Sequence, residues 1–219
     1  MTGNTMRFLK MDFGTLAMMN KIVFFYPIVV FLFVIFQGSF VMGAFMLIFL
    51  FPTLAMTPFL GEESQKIKIF YVSLPATVIN MVLGRYLFLC TSALGQMVGG
   101  LLIAVICNGF GIPITSLDVG LFVGGVLLDI TACLFMYPLV YKVGIAKGRS
   151  IIGVMPILAA GLIALLFTTT QEKIGSYQEI LQFVMNNGYL ITAGAFVLVC
   201  ILAAVSVIIS IRICEKQEI

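Results

Sequence analysis

Arg85 stands inside the apolar run 76–107 and Asp129 inside the apolar run 119–141, each the only charged side chain of its run. Charges in such settings pair with one another, line an ion or substrate path, or reach for the surface. At 1.5 Å of rise per residue, Arg85 lies roughly 13 Å and Asp129 roughly 17 Å from the same end of two antiparallel helices. This match in depth leads us to expect an ion pair between them. The alternatives are Asp129 facing a wet cavity, Arg85 snorkelling to the surface, or a place for both in a substrate pathway.

Other chemistries find little to work with. The nearest approach to a phosphate-binding loop is Gly144, Ile145, Ala146, Lys147, Gly148, Arg149, Ser150. It is one residue short of G-x-x-x-x-G-K-[ST], lacks the lysine beside the hydroxyl, and follows an apolar run rather than a strand. Proteolysis within a membrane needs paired acids, a serine with its base, or a zinc motif; only Asp129 lies deep, and the chain has no histidine. Cys90, Cys107, Cys133, Cys200 and Cys214 lie within or at the ends of apolar runs without metal-ligand spacing, and read as small buried hydrophobes. No catalytic, cofactor or metal-binding residue is expected, and no nucleic-acid partner.

The elements that must hold these residues are set by composition. Of 219 residues 62% are hydrophobic and 10% charged, which places the chain among polytopic membrane proteins. No stretch between apolar runs is long enough to bury a core of its own, so one transmembrane domain over 1–219 is expected. Residues 1–21 carry Arg7, Lys10 and Lys21 against Asp12, with Met6, Leu9, Phe13, Leu16 and Ala17 at helical spacing. This pattern predicts an interfacial helix. Spans follow at about 22–36, 40–59, 76–107, 117–141, 151–169 and 188–211, ending in a charged tail. The first is short for a hydrocarbon layer of about 30 Å. Thr115 and Asp118 have the spacing of a capping box at the start of the fourth. Gly95 with Gly99, and Gly120 with Gly124, have the spacing that lets helices approach closely.

The longest polar interruption begins at Gly61. Glu62 and Glu63 open a predicted amphipathic helix, Lys66 follows at ion-pair spacing, and Ile67, Phe70, Tyr71 and Leu74 recur on one face before Pro75 ends it. A second short amphipathic helix is predicted over 176–185, where Ser176 stands three before Glu179 and Phe183 lies on the apolar side. If six spans alternate, all the basic residues outside the spans fall on one side except Lys173. By the positive-inside rule both termini are then cytoplasmic, with helix 62–74 inside and helix 176–185 outside. A helix like the first also suits anionic lipid.

The stretch E-E-S-Q-K-I-K-I-F-Y-V-S-L-P-A-T, followed by Gly84, Arg85, Tyr86 and Leu87, resembles the cytoplasmic coupling region of type-2 ATP-binding-cassette permeases. Tyr137, Pro138, Leu139, Val140, Tyr141, Lys142, Val143 and Gly144 resemble the segment between the fourth and fifth spans of a small-permease branch. That branch includes bacterial exporters of phenol-soluble-modulin-like amphipathic peptides. The basic residue often found after the coupling proline is replaced here by Ala76 and Thr77.

The resemblance implies an all-α membrane protein of six transmembrane helices with a cytoplasmic coupling helix, acting as the permease subunit of an ATP-driven exporter in the cell membrane. It implies a cytoplasmic ABC ATPase subunit as partner, with ATP and magnesium held there, and a second permease copy, identical or related. Glu62, Glu63, Lys66, Ile67, Phe70, Tyr71 and Leu74 would dock the ATPase. Ser176, Glu179 and Phe183 would belong to an outer lid. Cargo would be an amphipathic peptide or a hydrophobic small molecule. A stand-alone ion-coupled transporter or a membrane scaffold is the alternative, although such a transporter would be expected to show several intramembrane acids or matched broken helices.

Overall fold

The computed structural model describes residues 2–19, 22–62, 77–144 and 187–217, and all regular structure among them is helical. This follows from the solvent: in hydrocarbon a backbone must satisfy its own polar groups, and a helix does so within one segment. Seven helices result among the described residues. They are α1 (Thr2–Met19), α2 (Ile22–Gln37), α3 (Phe40–Ala55), α4 (Thr57–Glu62), α5 (Val78–Gly109), α6 (Ser116–Val143) and α7 (Gly188–Gln217). Among the described residues four stretches are long and apolar enough to cross a membrane: Phe40–Phe59, Val78–Gly109, Asp118–Val143 and Leu190–Lys216. The apolar part of α2, Phe25–Gln37, is shorter. The predicted fifth span and the helix expected over 176–185 lie outside the described residues.

Each turn has a local cause. Gly38, at φ +60°, donates to the Val34 carbonyl at 2.9 Å and reverses the chain between α2 and α3. After α5, Ile112 donates to the Cys107 carbonyl at 2.8 Å and Gly111 takes a positive φ. The expected capping box is present: Asp118 N–H donates to Thr115 Oγ1 at 3.2 Å, and Thr115 N–H to Asp118 Oδ2 at 2.8 Å. The last helix runs on through Gln217, taking in residues expected to form a charged tail.

α5 is the mast of the bundle, with α1, α2, α3, α6 and α7 all against it. Gln96 meets Asp129 and Tyr86 meets Tyr137, so α5 and α6 run antiparallel. Tyr86 meets Ser206 and lies near Cys214, while Cys90 lies near Cys200, which makes α7 antiparallel to α5 and therefore parallel to α6. One end of the bundle collects Arg7, Lys10, Lys142, Arg212 and Lys216, whereas Asp118 is the only charged side chain at the other among the described residues. Two apolar cores fill it. Phe51, Phe59, Val82, Leu89 and Tyr137 occupy the basic end, and Val34, Phe40, Ile103 and Phe122 the far end.

Two expectations change. α1 stands alongside the first turns of α5, in the same direction: Thr5 bonds Asn80, Phe8 abuts Gly84, and Phe13 meets Phe88. Its face toward the protein is Thr5, Phe8, Asp12 and Thr15, while Met6 and Phe13 of the apolar stripe are exposed. A stripe that would seek lipid points away from the bundle, so the polar residues between do the packing. The second change concerns glycine. Nothing among the described residues lies within 4 Å of a Cβ placed on Gly95, Gly120 or Gly124; only Gly99 of the expected pairs touches a neighbour, Leu47 at 3.1 Å. The close approaches are at Gly43, Gly84, Gly100 and Gly125.

Candidate functional site

Arg85 lies about two turns into α5 and is 1% exposed. Its guanidinium carbon sits 4.6 Å from the Phe59 ring centroid and 5.4 Å from that of Tyr141. A desolvated cation on aromatic faces gains about 2 kcal/mol, less than burying a charge loses, so more than aromatic contact is needed to keep it there. The rings are fixed by one another. Phe59 meets Tyr137 edge-on at 4.9 Å and Tyr141 at 5.1 Å, and Tyr86 meets Tyr137 at 5.1 Å.

Two phenols of this cluster, those of Tyr86 and Tyr137, are bonded to the surrounding helices. The Tyr86 hydroxyl is 2.6 Å from Ser206 Oγ and 2.9 Å from Ser210 Oγ, and Ser206 donates to the Leu134 carbonyl at 2.5 Å, so α5, α6 and α7 are joined at one level. Tyr137 donates to the Ala55 carbonyl at 2.8 Å. That carbonyl is available because the chain breaks at Met56: Phe59 N–H turns to the Met56 carbonyl at 3.1 Å, and Pro58 has no N–H to give. α4 then carries the chain on to Glu62.

Asp129 is elsewhere. Gln96 Nε2 donates to Asp129 Oδ2 at 3.4 Å. Gln96 is eleven residues beyond Arg85, roughly 16 Å along α5. The expected pairing of Arg85 with Asp129 is therefore corrected: counted from the ends the helices have, Val78 and Val143, Arg85 lies roughly 10 Å and Asp129 roughly 21 Å deep. Among the docking residues, Glu62 is the last described residue of α4, at the basic end; Glu63, Lys66, Ile67, Phe70, Tyr71 and Leu74 lie outside the described residues, as do Ser176, Glu179 and Phe183. No cluster of metal-ligating side chains occurs among the described residues.

Sequence reasoning passed over Asp12, Phe59, Tyr86 and Tyr137. Asp12 had a signal, as the one acid in a basic helix at heptad-like spacing from Thr5, Phe8 and Thr15. Ser206 and Ser210, four apart on an apolar helix, were a second.

A bundle of long apolar helices with a basic end, and a broken helix at that end, defines a multi-pass membrane protein. The family model for the ABC-2 family transporter protein matches residues 8–215, and the chain belongs to that family. It is a permease component of an ABC transporter, a kind of protein that works with an ABC ATPase subunit. No curated protein and no solved structure matches the chain significantly.

Proposed function

We propose that this chain is the membrane permease of an ATP-driven exporter, docking its ATPase through residues 62–74 and moving amphipathic or hydrophobic cargo such as cytolytic or antimicrobial peptides. The observation that carries the docking reading is the position of this segment. α4 delivers the chain at Glu62, and α5 takes it up again after Thr77, both at the end rich in lysine and arginine. A segment hung from two anchored helices passes a push from outside directly into the bundle. Glu62, Glu63 and Lys66 supply charge for an ATPase surface, and Ile67, Phe70, Tyr71 and Leu74 supply an apolar face. ATP and magnesium belong to the partner, and a second permease copy completes the transport path.

Six spans support the same reading. α6 ends at the basic end and α7, parallel to it, starts at the far end, which fits a single further span in the sequence between them. Added to α2, α3, α5, α6 and α7, such a span would give six crossings with both termini at the basic end, the side that the positive-inside rule reads as cytoplasmic. Ser176, Glu179 and Phe183 then face outward as part of a lid. The branch resembling phenol-soluble-modulin exporters fits the low charge of the spans.

The test is co-expression with the ABC ATPase subunit and purification through a tag on the permease. Equal recovery of both chains, with hydrolysis stimulated by amphipathic peptides, is the expected result. Replacing Glu62 and Glu63 by lysine should cut ATPase recovery roughly tenfold or more, since reversed charges at a contact cost several kcal/mol. Undiminished recovery of the ATPase with that variant would sink the docking reading.

A further inference from the structure

Asp12 and Arg85 are the only charged side chains fully buried among the described residues, at 0% and 1% exposure. They belong to helices that run side by side. Thr5 meets Asn80, Phe8 meets Gly84 and Phe13 meets Phe88, an offset of 75 or 76 positions held over two turns. The same offset puts Asp12 beside residues 87 and 88, within one turn of Arg85 and roughly 14 Å along α5 from its first residue. Asp12 shares the face of Thr5, Phe8 and Thr15 that packs on the protein. Both charges act on the fully buried Tyr137 hydroxyl, which places both in the aromatic cluster.

We propose that Asp12 is the counter-ion of Arg85, and that this buried pair fastens the N-terminal helix to α5 at the platform from which the docking segment leaves. Arg85 stacks on Phe59, three residues before Glu62, so an acid on α1 fixes the arginine that fixes the end of the second span. Asp12 is in this sense a positioning residue, acting through Arg85. Gly84 permits it: the absence of a side chain there lets α1 come close enough for a short aspartate to reach. The link to docking rests on the proposed exporter function, whereas the pairing itself concerns the permease alone.

A buried pair has a distinctive response to substitution. Removing one partner leaves an uncompensated charge and is strongly destabilising, while removing both is close to neutral. The full-length permease in lipid nanodiscs, as D12N, R85M, D12N/R85M and D12E, would be followed by amide hydrogen exchange over residues 6–16. D12N and R85M should each raise exchange there on the order of 100-fold, and the double variant should return to within about tenfold of wild type. D12E, which keeps the charge, should stay near wild type. If D12N and R85M do not fold, the double variant should still be recovered folded from membranes in greater amount than either. A double variant whose exchange equals the product of the single effects, or whose folded yield is no better than theirs, overturns the pairing, as does a D12N indistinguishable from wild type. These readouts need no ATPase, so their failure leaves the docking reading standing, and a failed co-purification leaves the pair standing.

Discussion

At Gly84 a Cβ would lie 2.7 Å from the Cβ of Phe8, and neither atom can swing aside because each is fixed to its backbone. Gly100 and Gly125 are different, since there the clash is with a ring edge of Phe122 and a methyl of Ile48, which have torsions to use. Replacing Gly84 by alanine must therefore part α1 from α5, with an expected loss of about 1–3 kcal/mol. Gly95→Ala and Gly120→Ala, which meet nothing within 4 Å among the described residues, should change stability by less than about 0.5 kcal/mol. Unfolding of the three variants in lipid nanodiscs separates the cases; equal midpoints would contradict the close packing of α1. Four-residue spacing singled out Gly95, Gly120 and Gly124, which meet nothing among the described residues, and passed over Gly84, for a physical reason. It reports that two small residues share a helix face but carries no information on which neighbour that face meets, and Gly84 has no small partner four residues away to draw notice.

The helices were legible because hydropathy dictates them, and the start of α6 because a Thr–Asp capping box depends on local chemistry alone. The break in the second span was less so. Pro52 and Pro58 announce that carbonyls are freed, but where the chain bends depends on what replaces the lost donors, and Tyr137 stands 82 positions away. Its phenol holds the Ala55 carbonyl in a buried site, so Tyr137→Phe removes the donor and leaves the acceptor stranded. A loss of about 1–2 kcal/mol is expected, above the average for hydrogen bonds between membrane helices because no water replaces the phenol. The equivalent change Tyr26→Phe, whose hydroxyl is bonded to the Met46 carbonyl at 2.7 Å in a half-buried site, should lose less. Chemical unfolding of both variants in the same lipid checks the order; a smaller loss for Tyr137→Phe would mean that the break has another donor.

At the scale of the whole molecule, direction decides topology. Charge counting assumes that spans alternate; the packing gives directions independently, since Tyr86 meets Tyr137 and Gln96 meets Asp129, while Tyr86 lies near Cys214 and Cys90 near Cys200. The proposed six-span topology has the chain between parallel α6 and α7 return, and by the positive-inside rule it takes the end that gathers Lys142, Arg212 and Lys216 as the cytoplasmic one. In a variant whose five cysteines are replaced by alanine, single cysteines at Lys147 and Ser176 should respond oppositely to a membrane-impermeant maleimide. Ser176→Cys should label in intact cells, and Lys147→Cys only after the membrane is opened. Reversed labelling would turn the protein over and put residues 62–74 out of reach of any cytoplasmic ATPase. Labelling of both from the same side would mean that residues 145–186 do not cross between those positions, and the six-span reading would fall. The opposite response would set the docking segment and the outward helix at opposite mouths of the bundle, the arrangement an ATP-driven change of access requires.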